Sequence, residues 1–226
     1  MNRKDEIRSA YKSLGRAHSF YDGMMLGTSF TGKLIDRVVW NMSGEEVTES
    51  HALSLSALPA DFSGRLLEVP VGTGVLSMPV FRNMKNADIT CLDYSEQMME
   101  SARKRAEEMH IPNIHFVQGD VGKLPFEDES FDAVLSLNGF HAFPDKEAAW
   151  METYRVLKPG GIFTGCFYAE GLTKRTDLLI RTFYVRSGFF TPPFETPESL
   201  ERRLKNMYSE VSVSHVQSIA VFQCRK

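Results

Sequence analysis

The sequence predicts a doubly wound α/β fold, a mostly parallel sheet with helices on both faces, and three observations carry that prediction. From Arg65 onward, short β-rich runs alternate with helical patterns. A glycine turn, Gly72-Thr73-Gly74, joins the first such run to a helical one, the place where a doubly wound sheet brings its backbone close to a nucleotide-like ligand. The chain closes on two alternating runs near enough to pair as a hairpin, which puts an antiparallel strand into the sheet.

Residues 1–60 read as helical with glycine-containing breaks, and they form a cap or lid segment ahead of the sheet. This segment carries a polar-aromatic cluster, His18-Ser19-Phe20-Tyr21-Asp22. Residues 61–226 make the binding domain, with a cap insertion near 172–197. Its strands fall at 66–69, 89–92, 114–117, 133–137 and 161–168, where apolar and β-branched residues cluster. Helices are expected at 75–85, 96–109 and 146–156. The second is the best marked, because Ser95 is a good N-cap and Met98, Ala102, Ala106 and Met109 recur at helical spacing. A helix at 172–185, a proline-rich loop at 188–197, a helix at 197–207 and strands at 211–215 and 218–224 complete the chain.

Composition narrows the function classes. The 226 residues are 42% hydrophobic, enough for a sizeable core, and 26 basic against 29 acidic residues leave a formal charge of -3. Nothing global draws such a chain to nucleic acid or an anionic membrane. The charged N-terminus lacks an apolar signal core, and no window approaches the ~18 apolar residues of a membrane span. Cys91, Cys166 and Cys224 are odd in number, far apart, and without metal-binding spacing. Buried thiols in a reducing, cytoplasmic compartment are expected, with no metal site.

The glycine turn has an unusual neighbour in Glu68. Loop amides and a helix N-terminus facing a pyrophosphate would be opposed by a carboxylate there, whereas a ligand presenting an ammonium would welcome it. The third glycine of the dinucleotide fingerprint is also missing, because position 77 is serine. A plain strand-to-helix turn is the alternative account of the two glycines, and Glu68 weighs against it. Asp93 ends the second strand 19 positions beyond Gly74, where an acid can accept both hydroxyls of an adenosine ribose. That placement suits nicotinamide dinucleotides and adenosine-containing methyl donors alike. Tyr94 and Met98 can cover a base or can simply be core residues. Asp120, ending the third strand, can accept from an exocyclic amine. Three acids at successive strand ends thus match an amine, a diol and an adenine amino group.

The stretches LLEVPVGTG, ITCLDYSEQMMESARKRA, FVQGDVGKLPFEDESFDAVLSLNGFHAF and YRVLKPGGIF resemble class I S-adenosylmethionine-dependent methyltransferases, over about residues 65–168. The resemblance implies a Rossmann-like sheet of seven strands with the last antiparallel, binding S-adenosyl-L-methionine at the carboxyl ends. It implies that Glu68 holds the methionine ammonium and that the loop of Pro70, Gly72, Thr73 and Gly74 approaches the donor. Asp93 would take the ribose hydroxyls, Tyr94 and Met98 would flank adenine, and Asp120 with Val121 would read its amino edge. Asn138 and Gly139 would pass beneath the methionine portion. One departure is Pro70, which stands where the family has its first loop glycine and removes an amide donor.

The residues of the reaction are less marked. His141, three positions past Asn138, is the first candidate base, and a role in packing or capping is its alternative. Tyr21, with His18 and Asp22, is a candidate from the lid; His110, His115 and His215 read as structural. Leu137-Asn138-Gly139-Phe140 is not the Asn-Pro-Pro-aromatic motif of base-modifying members, which again points away from nucleic acid. FYDGMMLGTSFTGKLIDRVVW is loosely similar to the ubiquinone/menaquinone-biosynthesis C-methyltransferases, but the arginine-asparagine pair of that group is replaced by Asn138-Gly139. Phe183, Tyr184, Phe189, Phe190 and Phe194 can line an apolar acceptor pocket or belong to the core. The expected function is methyl transfer to a small apolar or aromatic molecule by a monomer or homodimer. A nicotinamide-dependent oxidoreductase and a non-catalytic donor-binding module are the alternatives.

Overall fold

The computed structural model describes residues 22–23, 25–27 and 29–226. Seven strands form one sheet: β1 (Gly64–Glu68), β2 (Ala87–Asp93), β3 (Ile114–Gln118), β4 (Phe131–Leu137), β5 (Leu157–Tyr168), β6 (Glu210–Val216) and β7 (Ile219–Arg225), in the order β3-β2-β1-β4-β5-β7-β6. β1 pairs in parallel with both β2 and β4, setting Leu67 opposite Thr90 and Val134. β7 alone runs antiparallel to its neighbours, pairing Gly165 with Phe222 on one side and Val213 with Phe222 on the other. The chain leaves β1 toward β2 and β3, then returns to place β4 on β1's other side. That reversal opens a crevice at the carboxyl ends of β1 and β4.

Both faces of the sheet are buried, so successive residues of one strand enter different cores. Leu66, Ile89, Cys91, Ala133 and Leu135 meet Met99 and Ala102 on one side. Leu67, Leu92, Val134 and Phe163 meet Trp150 on the other. The helices supplying these faces are α4 (Glu96–Glu108), capped by Ser95, and α5 (Lys146–Val156), capped by Asp145. α7 (Pro197–Met207) opens with Thr196 and Ser199 in a reciprocal cap.

Ahead of the sheet, α1 (Phe30–Ile35) passes directly into a π-helical turn, Asp36–Trp40. α2 (Gly44–Leu55) follows, with a capping box between Ser43 and Glu46. It lies against the sheet: Thr164 donates its hydroxyl to the Ser54 carbonyl at 2.6 Å, and Gln223 donates to the Leu53 carbonyl at 2.8 Å.

Three expected boundaries need correction. The helix expected at 75–85 shrinks to α3 (Met78–Phe81), because Pro79 is compatible only with a first turn and the Ser77 hydroxyl is engaged elsewhere. The helix expected at 172–185 is α6 (Lys174–Leu179) continued as a second π-helical turn, Ile180–Tyr184. β5 starts at Leu157 rather than 161, because Leu157 pairs with Phe131 and a register shift then absorbs the Pro159-Gly160 step.

Candidate donor-binding site

At the crevice between β1 and β4 lies a cleft that opens to solvent. Eleven of the residues singled out by sequence line it: Glu68, Pro70, Gly72, Thr73, Gly74, Asp93, Tyr94, Met98, Asp120, Val121 and Asn138. Met25, from the N-terminal segment, lines it too.

Glu68 ends β1 with only 1% of its surface exposed. Its carboxyl accepts from the Ser77 hydroxyl at 2.8 Å and from the Cys91 thiol at 3.6 Å. No salt bridge reaches it among the described residues, and burial, opposed by those two bonds and reinforced by the Asp93 charge, pushes it up from the usual 4.5 to about 8. Ser77 is therefore more than an absent third glycine, since its hydroxyl fixes the carboxyl at the cleft.

Asp93, at the end of β2, is held by two backbone amides: Gly72 donates to Oδ2 and Ser95 to Oδ1, each at 2.8 Å. Burial outweighs these bonds and brings its carboxyl up to about 6. Gly72 has φ +57, and a Cβ there would meet nothing within 4 Å, because that side of the backbone faces the open cleft. Asp120 accepts from the Gly122 amide at 2.9 Å and so faces the cleft on a tight turn after β3. Met98 is both core and cleft wall, at 1% exposure, while Tyr94 stands 38% exposed at the rim.

Gly139 does not line the cleft. A Cβ on it would fall 2.5 Å from Cδ of Pro70 and 2.7 Å from Cζ of Phe143, so the end of β4 passes Pro70 only because that side chain is absent. Proline in place of the loop glycine is thereby accommodated from across the crevice.

The candidate bases separate. His141 is not part of the cleft wall: its ring stacks on Phe190 at 4.0 Å, and Nδ1 accepts from the Tyr168 amide at 3.3 Å. Burial, with Lys146 nearby, holds it down to about 3. In the structure His141 thus takes the packing position that was the alternative to a base. Tyr21 and His18 lie outside the described residues. Asp22 is described, and its carboxylate accepts from the Thr73 hydroxyl at 2.6 Å and from the Arg105 guanidinium, which also donates to the Thr73 carbonyl at 3.2 Å. This triangle ties the N-terminal segment onto the glycine loop.

The remaining histidine, His51 on α2, was not singled out by sequence, yet its Nε2 lies 3.4 Å from Nδ2 of the cleft residue Asn138. Burial lowers it to about 4, so its imidazole is neutral near pH 7. Asn138 itself has φ +55, a left-handed turn that asparagine tolerates and that turns the chain at the carboxyl end of β4. Sequence spacing held no signal for this pair, since its members are 87 positions apart.

Three acids at neighbouring strand ends, around a glycine backbone that admits close approach, form a set suited to an ammonium, a diol and an amine. A family model described as a methyltransferase domain matches residues 66–161, from inside β1 into β5. Residues 66–161 are a methyltransferase domain, with the fold and strand-end crevice of the class I S-adenosylmethionine-dependent methyltransferases. The residues at the cleft fit S-adenosylmethionine as cofactor: Glu68 is a buried carboxyl with no ion pair among the described residues, which an ammonium would hold ionised, and Asp93 keeps lone pairs for hydroxyls beside an unobstructed Gly72.

The chain is 38% identical over 146 residues to the demethylmenaquinone methyltransferase of Thermus thermophilus, a match covering 61% of this chain and 66% of that one. It is 41% identical over 109 residues to a probable phthiotriol/phenolphthiotriol dimycocerosates methyltransferase of Mycobacterium ulcerans, covering 48% of this chain and 41% of that protein. The match thus spans about two fifths of the mycobacterial protein's length. In fold, it superposes with a TM-score of 0.67 on a Thermotoga maritima structure described as a possible histamine N-methyltransferase, at 20% identity and over 96% of this chain and 99% of that one. Among the described residues, no group of three His, Cys, Asp or Glu side chains is placed to hold a metal ion, and no helix is long and apolar enough to cross a membrane.

Proposed function

We propose that the protein transfers a methyl group to a small molecule with an apolar or aromatic body. The observation that carries this reading is a cluster of aromatic rings at the carboxyl end of β5, where Trp40, Tyr184 and Phe190 pack with Tyr168 at centroid distances of 5.4–6.4 Å. Relatives named for a quinone and for lipid substrates support the same class.

Bound in the cleft, the donor supplies an electrophilic methyl carbon on a sulfonium. Glu68 neutralises the ammonium, Asp93 fixes the ribose, and Asp120 with the Val121 backbone holds the adenine edge. These contacts set the direction of the methyl carbon, and alignment with exclusion of water is the main catalytic requirement of such a displacement. Asn138 and His51 sit where the nucleophile approaches. His51, kept neutral, takes the proton released when an oxygen or an activated carbon attacks. The N-terminal segment acts as the lid, with Asp22 holding it on the donor loop.

Calorimetric titration with S-adenosylmethionine, S-adenosylhomocysteine and NAD tests the donor half, with Asp93→Ala weakening the first two by about 1.5–3 kcal/mol. Tight binding of NAD in their place would overturn it. Turnover of a demethylmenaquinol and of a hydroxylated long-chain lipid then tests the acceptor class; methylation confined to polar amino-acid or sugar acceptors would refute it.

A further inference from the structure

The two π-helical turns, Asp36–Trp40 and Ile180–Tyr184, come from opposite ends of the chain and belong to one roof. Arg175 at the start of α6 donates to the Arg37 carbonyl at 2.8 Å, and Thr176 to the Val39 carbonyl at 2.7 Å. Trp40 closes the joint, its ring 6.4 Å from Tyr184 and 6.1 Å from Phe190. Widened turns of this kind interrupt the regular backbone ladder and occur frequently at functional sites.

Asp36 opens the first of these turns, 6% exposed, and its Oδ2 has no hydrogen-bond partner among the described residues. No Lys, Arg or His pairs with it among them either. Gly27 lies against the same oxygen, so closely that a Cβ there would fall 2.6 Å from it. Two residues before Gly27, Met25 lines the donor cleft. The carboxyl also lies within electrostatic reach of Tyr184, whose hydroxyl burial, and after it the Asp36 charge, pushes up. A buried carboxyl without a partner is rare in a folded chain and calls for a reason. Among the described residues nothing in the packing supplies one: the rings of the roof offer faces that attract a cation or an N–H, not groups that satisfy an anion.

We propose that Asp36 is a specificity residue which binds a hydrogen-bond-donating head group, ammonium or hydroxyl, on an acceptor whose apolar body lies against Trp40, Tyr184 and Phe190. The inference rests on the acceptor class proposed above and adds a polar end to it. The desolvated carboxyl, pushed up to about 6, is still ionised near pH 7 and is drawn back down when a donor reaches it. A ligand with the same body and no head group finds the site unrewarding.

The test uses 2-phenylethylamine, 2-phenylethanol and ethylbenzene, one body with three head groups, added to the full chain saturated with S-adenosylhomocysteine. Binding is read by ligand-observed NMR and by quenching of tryptophan fluorescence, with Trp40→Phe assigning the signal to the roof. The wild type should prefer the amine or the alcohol to ethylbenzene by tenfold or more, and which of the two leads distinguishes ammonium from hydroxyl recognition. Asp36→Leu and the isosteric Asp36→Asn should erase that preference, leave ethylbenzene and S-adenosylhomocysteine binding unchanged, and raise Tm, because an unpartnered carboxyl is removed. A preference that survives both variants, or an Asp36→Asn chain that loses Tm, overturns the proposal while leaving the acceptor class intact. Failure of all three probes on the wild type overturns both.

Discussion

Binding of S-adenosylhomocysteine should eject a proton from Glu68. The apo carboxyl, at about 8, is roughly ten parts neutral to one charged at pH 7, so a bound ammonium displaces about 0.9 of a proton there. Ionising it costs about 1.4 kcal/mol per unit between the pH and the pKa. Affinity should therefore climb about tenfold per pH unit from about 6 to 8 and level off above. Asp93, at about 6, steepens the rise only at the acid end. The assay is calorimetry at pH 7 in two buffers of different ionisation enthalpy, followed by a series in pH. Glu68→Gln is the control, because the ligand's own amine titrates equally with both proteins and the difference isolates Glu68. Equal heats in both buffers, with a wild-type affinity as flat as the variant's between pH 6 and 8, would refute the reasoning. The same group sets the stability of the apo chain. Its folded pKa lies above the unfolded 4.5, so its contribution is present below 4.5 and is lost as pH rises toward 8. Urea midpoints should fall across that window in the wild type and less steeply in Glu68→Gln.

Further outcomes are expected elsewhere in the site. His51→Gln should lower turnover on oxygen or carbon acceptors by 10²-fold or more while leaving S-adenosylhomocysteine affinity unchanged; parallel losses of both would assign His51 to donor binding instead. Arg105→Met removes the guanidinium from Asp22 and Thr73, and stopped-flow should show faster S-adenosylhomocysteine release with a smaller change in on-rate. Gly139→Ala should destabilise the chain by about 1–3 kcal/mol through its clash with Pro70, and Pro70→Gly should restore part of that loss in denaturant unfolding. Independent, additive losses would mean that the two residues do not share that space.

The donor half of the site was legible because it is written in local order. Each acid follows a strand with a clear apolar pattern, and Ser95 is both the helix cap and a ligand of Asp93. Gly72 and Asp93 were separately visible, although the bond joining them was not. The acceptor half was illegible because its residues meet only through tertiary folding. His51 reaches Asn138 from a helix docked on the far strands of the sheet, and Asp36 reveals itself only by lacking a partner. The place of His141 was illegible for a related reason: three residues beyond Asn138 is close in sequence, but after the left-handed turn at Asn138 its ring stacks on Phe190. The short α3 shows local chemistry diverted, since Ser77, a natural helix starter, spends its hydroxyl on Glu68.

The two walls of the reaction chamber are fastened by different means. α2, which brings His51, is bolted to β5 and β7 through Thr164 and Gln223. The stretch bearing Met25 is pinned to the donor loop chiefly by Asp22 on Thr73 and Arg105. Among the described residues, one wall is masonry and the other a door on the Asp22 latch. Loosening that latch is expected to release spent donor while the masonry keeps the proposed acceptor berth in shape.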